Sequence, residues 1–347
     1  MNAHWTGVTK MYQRGLVLMK AMPGHVGHRH LINFACGMCD RVDVAIDCVA
    51  GEWPSATTRA EDMRSDLADL PVVVHALKDC TPQQPDEHPD FWGFWRDTLI
   101  ETIGFKPDVL VASMAYGLPL AGSLECEFLP LEFERQGIPL SATMIRSNPT
   151  EHWDSILPHS RRHYLTRIAI EGPESTGKST LGLELARSNG WTYAPEWAKC
   201  YIEQMARAGR EFSEEDLAVI ARGQIAMERS LELQSRPVMI SDTSVLTTIV
   251  WSRFLYERVS PDIERLFDIE EARSPRTRLL FTPETPWFSD VHRKVAADAA
   301  SDKTRQRFFE IFLQEIEKRS LSHEIVEGNF PEKRSRLITL ASKLSQC

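Results

Sequence analysis

The run Gly172-Pro173-Glu174-Ser175-Thr176-Gly177-Lys178-Ser179 fits GxxxxGK[ST], and it lies between a β-type run, Arg167 to Glu171, and a helical stretch from about Lys178. Strand, glycine-rich turn and helix in that order are the context such a loop needs, and they commit this half of the chain to a parallel α/β sheet. Glycines let the loop curl so that successive backbone N–H groups face a triphosphate. Gly172 through Thr180 are then expected to contact ATP, with Lys178 neutralising the β and γ phosphates and the Ser179 hydroxyl ligating Mg²⁺. An ordinary glycine-rich turn is the competing reading.

A nucleotide site of this kind needs an acidic residue at the end of a buried strand, and Val238-Met239-Ile240-Ser241-Asp242 supplies one. Asp242 is expected either as an Mg²⁺ partner or general base, or as the cap of a helix starting near Val245. Glu196 follows the second strand of this half and is placed to orient or deprotonate an acceptor hydroxyl, or else is a solvated first-turn glutamate. Trp287 to Arg293 lies between a strand and a helix where a lid would close. Arg293 and Arg305 are its candidate phosphate cations, with a solvated surface role as the alternative.

The first half carries its own histidine loop. After an opening strand, Leu16 to Met19, comes Lys20-Ala21-Met22-Pro23-Gly24-His25-Val26-Gly27-His28, and a helix follows through Cys36. Two imidazoles at i and i+3 on a helix N-terminus share one face and suit the α-phosphate of ATP. Farther on, Ser141-Ala142-Thr143-Met144-Ile145-Arg146 reads SxTxxR, with hydroxyls at a helix start and a cation one turn later, fit to hold the departing β and γ phosphates. Alone it reads as an N-cap with a surface arginine; beside HxGH it gains weight. Trp53, Trp92 and Trp95 are candidates for stacking on a heterocycle, although Phe91, Trp95 and Leu99 recur at helical core spacing.

Further strands are expected at Val42 to Cys48, Pro71 to Leu77 and Val109 to Ser113, then at Trp191 to Ala194, Arg278 to Phe281 and Glu324 to Glu327, with helices between, including a long one from Glu214 to Leu233. The chain of 347 residues exceeds what one core usually serves. The polar stretch from Asn148 to Tyr164 marks the boundary, giving domains 1–158 and 165–347. A net charge of -9 disfavours DNA and anionic membrane as partners. Seven cysteines and no secretory leader point to a reduced cytoplasm. Cys36 and Cys39 form a lone CxxC inside an expected helix, with no second pair for zinc. Homo-oligomerisation stays open.

HxGH after a first strand, SxTxxR at the domain end and a P-loop behind them together resemble the bacterial NadR family, bifunctional nicotinamide mononucleotide adenylyltransferases and nicotinamide riboside kinases. The likeness spans nearly the whole chain and is densest at Gly15 to Ile32, Pro107 to Trp153, Arg167 to Leu181, Ser241 to Thr248 and Pro286 to Arg293. It implies a Rossmann-like nucleotidyltransferase domain that makes NAD⁺ and pyrophosphate from nicotinamide mononucleotide and ATP, followed by a P-loop kinase domain that phosphorylates nicotinamide riboside. Lys20, His25, His28, Ser141, Thr143 and Arg146 match the first activity. Gly172, Gly177, Lys178, Ser179, Glu196, Asp242, Trp287 and Arg293 match the second.

Several positions depart from the family. Met19-Lys20-Ala21 replaces the usual Gly-Lys-Phe, Lys199 stands in the acceptor region where arginine is usual, and Ser244 replaces a second acidic residue. The helix-turn-helix domain of some members is expected to be absent, since about 14 residues precede the first strand. Two alternatives remain: an active kinase behind a nucleotide-sensing first domain, and a non-catalytic NAD⁺-binding regulator.

Overall fold

In the computed structural model, residues 11–78, 80–112, 116–131, 137–285 and 302–344 are described. They fall into two compact units that divide between Tyr164 and Leu165. The first unit runs β1 (Tyr12–Met19), α1 (Val26–Met38), β2 (Cys39–Ile46), α2 (Ala56–Asp66), β3 (Val72–Ala76), α3 (Phe91–Ile103), β4 (Val109–Ala112), α4 (Gly117–Leu124), β5 (Glu127–Pro130), α5 (Ala142–Ser147) and α6 (Pro158–Arg161). Its five strands are parallel, in the order β3-β2-β1-β4-β5.

Alternation along the central strands explains why both faces of this sheet are covered. Val17, Val44 and Val111 enter one apolar cluster, while their neighbours Leu16, Ala45 and Leu110 enter another on the opposite face. A strand buried on both sides favours apolar residues, which is why these segments read as largely apolar runs; Asp43 on β2 is buried only because Arg41 and His75 pair with it. The crossover between β1 and β4 leaves a crevice at the strands' C-terminal ends, the usual ligand position in such sheets.

The polar stretch before residue 165 belongs to the first unit. Trp153, Ile156 and Leu157 are buried, Leu157 N–H donates to the Gly24 carbonyl at 2.9 Å, and His159 and His163 bond Asp66 and Asp62 on α2 at 2.6 and 2.7 Å. These long-range contacts carry the unit to Tyr164, six residues beyond the expected end at 158. Cys39 also departs from expectation: it opens β2 rather than extending the helix that holds Cys36. Both are buried, and no cluster of three or more metal-ligating His, Cys, Asp or Glu occurs among the described residues. No helix among them is long and apolar enough to cross a membrane.

The second unit runs β6 (Thr166–Glu171), α7 (Lys178–Asn189), β7 (Thr192–Ala194), α8 (Trp197–Arg207), α9 (Glu214–Glu232), β8 (Val238–Asp242), α10 (Val245–Tyr256), α11 (Pro261–Arg273), β9 (Thr277–Phe281), α12 (Asp302–Lys318), β10 (His323–Val326) and α13 (Phe330–Leu344). Its parallel sheet has the order β10-β9-β6-β8-β7. Ile168 and Ile170, Val238 and Ile240, and Leu279 and Phe281 pack one face against α7 and α13, and Leu280 points into the opposite cluster.

Two buried cations pin the segment that leaves β9. Lys333 Nζ donates to the Thr282 carbonyl at 2.6 Å and to Thr285 Oγ1 at 2.9 Å, and Arg305 Nη2 donates to the Thr285 carbonyl at 2.7 Å. Burial pushes the Lys333 amine down to about 8, against the opposing pull of Glu284. An unfolded chain keeps that proton to about pH 10.4, so between pH 8 and 10 the unfolded state binds more protons and stability rises with pH. We expect the unfolding free energy to gain about 2 kcal/mol over that window relative to Lys333→Met, in urea titrations across pH.

Candidate active sites

The loop after β1 brings the histidines to the start of α1. His25 is the N-cap, in extended conformation, and its Nδ1 accepts from Gly27 N–H at 3.1 Å. His28 Nδ1 accepts from His25 N–H at 3.3 Å, completing a reciprocal cap. Because each Nδ1 acts as an acceptor, a neutral ring carries its proton on Nε2, so both side chains are set as Nε2–H donors. Their ring centroids are 3.8 Å apart. Leu31, Ile32, Ala35 and Cys36 bury the far side of α1 against the sheet, which fixes the helix so that its positive end faces the crevice.

SxTxxR meets this loop across the crevice. Ser141 caps α5 by accepting from Met144 N–H at 3.2 Å, Thr143 Oγ1 accepts from Arg146 Nη2 at 3.2 Å, and Arg146 Nη1 donates to the Met22 carbonyl at 2.5 Å. One cavity of about 370 Å³ is lined by Lys20, His25, His28, Ser141, Thr143 and Arg146 together. Met19 also lines it, so the departure from glycine falls at the cavity, although Met19 is largely buried and packs in the apolar cluster behind it.

Arg59 is a contributor that sequence reading missed. It is buried on α2, and its guanidinium donates to the carbonyls of Lys20, Asp47 (3.1 Å) and Pro54 (2.9 Å), and to Glu52. It thereby ties the ends of β1 and β2 to the loop bearing Glu52, whose carboxylate holds Lys20 Nζ at 3.2 Å. An arginine on a strongly polar helix gives no local sign of such a role.

The tryptophans do not gather at this cavity. Trp95 is core, with Nε1 donating to the Pro82 carbonyl at 3.1 Å, and Trp92 packs against the same cluster. Their helical spacing places them inside the protein rather than on a ligand. Trp53 is 67% exposed and meets His163 edge to face.

In the second unit, the loop from Gly172 to Gly177 curls because glycine permits it. Gly172 has φ +130°, where a Cβ would fall 2.5 Å from the Phe281 carbonyl oxygen, and Gly177 has φ +91° with Phe330 packed against it. Thr176 Oγ1 and Lys178 Nζ both donate to the Pro173 carbonyl, at 2.9 and 2.6 Å. Burial pushes the Lys178 amine below its ordinary value, while Asp242 and Glu196 act against that. Ser179 is the second residue of α7, and Thr180 is exposed on the same turn. Glu174 and Pro173 border a small space shared with Arg305.

Three acidic or hydroxyl groups converge beside Ser179. Asp242 ends β8 and is 2% exposed; its Oδ2 accepts from Tyr193 Oη at 3.0 Å, and its Oδ1 has no hydrogen-bond partner among the described residues. Lys199 Nζ lies 2.8 Å from Ser179 Oγ, 3.0 Å from Glu196 Oε2 and 3.5 Å from Asp242 Oδ2. Burial raises the Glu196 carboxyl, with Asp242 adding to the effect and Lys199 opposing it. For Lys199, burial works against the charged form, yet the Glu196 and Asp242 carboxylates outweigh it and hold the ammonium above its usual value.

One competing reading falls, and one expectation is corrected. The helix after β8 is capped by Ser244, whose Oγ accepts from Leu246 N–H at 3.2 Å, so Asp242 is no cap. Arg305, expected as a lid cation on the phosphates, is 2% exposed and turned toward the Thr285 carbonyl, because it lies on the buried face of α12 with Phe308, Phe309 and Phe312. Trp287 and Arg293 lie outside the described residues. A further carboxylate went unread: Glu171 is buried at the end of β6 and accepts from Ser244 and Thr247 hydroxyls. Its signal was an acid closing the buried apolar run Ile168 to Ile170.

The AAA domain family matches residues 167–333. The "Trifunctional NAD biosynthesis/regulator protein NadR" of Escherichia coli (strain K12) is 24% identical over 332 residues, covering 90% of this chain and 78% of the relative. The protein of the same description from Salmonella typhimurium (strain LT2) is 22% identical over 354 residues, with 95% and 83% covered. Among solved structures, a NadR protein in complex with NR matches with a TM-score of 0.75 at 21% identity, over 96% of this chain and 97% of the other. A NadR protein in complex with NAD and AMP-PNP matches with a TM-score of 0.73 at 21% identity, over 96% and 98%. At these identities the structural likeness establishes the fold.

Proposed function

We propose that this chain, a homologue of the NadR proteins over nearly its whole length, is a bifunctional enzyme of NAD biosynthesis that phosphorylates nicotinamide riboside in its second unit and adenylylates nicotinamide mononucleotide in its first. The observation that carries this reading is the convergence of HxGH and SxTxxR on one cavity, joined by the Arg146 to Met22 contact, in a chain whose second unit holds a complete phosphate loop.

In the first unit, the mononucleotide phosphate oxygen attacks the α-phosphorus of ATP, a P–O bond forms, and the bond to the bridging β oxygen breaks. His25 and His28 donate from Nε2 to the α-phosphate as charge gathers there, aided by the positive end of α1. Ser141, Thr143 and Arg146 hold the β and γ phosphates that leave as pyrophosphate. Arg59 keeps the histidine loop in place by binding the Lys20 carbonyl.

In the second unit, the riboside hydroxyl attacks the γ-phosphorus while ADP departs. Backbone N–H groups of the loop and Lys178 stabilise the transferring charge, and Glu196, its carboxyl raised by burial, receives the hydroxyl proton. The residues fit Mg²⁺: the unpartnered, buried Asp242 Oδ1 and the adjacent Ser179 hydroxyl suit a hard cation that takes its other ligands from phosphate and water. Bound there, the metal would neutralise charge on the phosphates during transfer. Trp287 and Arg293 are assigned to the acceptor and the lid from the sequence alone.

Purified protein with ATP, Mg²⁺ and nicotinamide riboside should yield the mononucleotide and then NAD⁺, followed by chromatography; absence of both products sinks the proposal. Met19 on the cavity wall favours a second reading in which the first unit senses nucleotide without turning it over. Pyrophosphate release from mononucleotide plus ATP separates the two. The net charge and cysteine usage support small-molecule partners, no DNA or membrane, and a cytoplasmic site of action.

A further inference from the structure

Lys199 rises from the first turn of α8, and its ammonium sits among three groups brought together from different elements: Ser179 at the start of α7, Glu196 just before α8, and Asp242 at the end of β8. Ser179 and Asp242 are the pair that the kinase reading assigns to Mg²⁺. A cation already sits there, and it is the protein's own. We propose that Lys199 is the resident counter-cation of the kinase metal site, holding Ser179, Glu196 and Asp242 together in the metal-free protein and leaving when a divalent cation enters.

This inference rests on the kinase reading of the second unit. Without a positive charge, two carboxylates facing one pocket repel each other, and Lys199 relieves that repulsion at contact distance. A lysine suits an exchangeable role, since its charge is a compact point on a flexible four-carbon stem, whereas an arginine fork would hold a carboxylate in a fixed geometry. The side chain is 51% exposed, so solvent offers it a way out. Asp242 Oδ1 remains unpartnered while Lys199 contacts Oδ2. The lysine therefore satisfies the site only in part, and a dication, with twice the charge, gains by displacing it.

Manganese(II) is the probe. Its binding to nucleotide-free protein is read from the electron paramagnetic resonance signal of the free ion, in wild type, Lys199→Met, Lys199→Gln, Lys199→Arg and Asp242→Asn. Removing the resident charge should tighten Mn²⁺ binding about tenfold or more in both neutral variants, while Lys199→Arg, whose fork holds the carboxylates more firmly, should bind Mn²⁺ no tighter than wild type. The rise in Tm on adding Mn²⁺ should also be larger in Lys199→Met than in wild type, and Asp242→Asn should lose the binding. Unchanged Mn²⁺ affinity in both neutral variants overturns the proposal, as does retention of the ion by Asp242→Asn. The premise is checked separately by riboside phosphorylation in the wild type: an active wild type with unchanged metal affinity in the variants defeats this inference alone.

Discussion

Replacing Lys178 by alanine lowers nicotinamide riboside phosphorylation by about a hundredfold or more and leaves adenylyl transfer within about twofold. The first figure follows from removing a fixed donor where charge develops during phosphoryl transfer, in a loop whose other contributions are backbone N–H groups that the substitution does not touch. The second follows from the division of the chain at Tyr164 and Leu165, with Lys178 in one compact unit and His25, His28 and Arg146 in the other. ADP formed with the riboside measures the first activity, and pyrophosphate formed with the mononucleotide measures the second. The loop's shape should survive, because Gly172 and Gly177 set its turn and Thr176 keeps its bond to the Pro173 carbonyl. Loss of both activities in a folded Lys178→Ala protein would mean that the two chemistries share a site.

Much of this architecture is legible because its signals are local. Val17, Val44, Val111, Ile168 and Ile240 lie in strands buried on two faces, and such strands cannot hide among polar residues. The phosphate loop and HxGH are legible for a related reason: each packs its chemistry into one turn between a strand and a helix. What escaped depends on distance or on weak local pattern. β5 is a four-residue edge strand, Glu127–Pro130, that ends in proline and begins with a charge, so nothing in its composition distinguishes it from a loop.

The polar contributors escaped for another reason. Arg59 acts on carbonyls 39 and 12 residues away, and Glu171 is held by hydroxyls 73 and 76 residues away. Such contacts exist only once the sheet has assembled. Trp92 and Trp95 were open to two readings; Trp95 is buried in the core, as the spacing with Phe91 and Leu99 suggests, and Trp92 is partly buried beside it. The stretch before residue 165 looked like a linker because its apolar residues are few, yet Trp153, Ile156 and Leu157 are buried.

His28→Ala should lower adenylyl transfer by about a hundredfold while riboside phosphorylation stays within about twofold. The imidazole has two tasks here. Its Nδ1 closes the cap by accepting His25 N–H at 3.3 Å, and that bond fixes the proton on Nε2, where it serves the α-phosphate. Alanine removes both, at a cost to stability of about 1 kcal/mol for the lost cap. Asparagine separates the tasks, since its short amide keeps an acceptor near the helix start but does not reach as far into the cavity. Urea titration of His28→Asn should therefore recover most of the stability lost in His28→Ala, with adenylyl transfer still down about tenfold or more. Recovery of activity in step with stability would assign His28 to capping alone. His25 would then be the single imidazole acting on the phosphate.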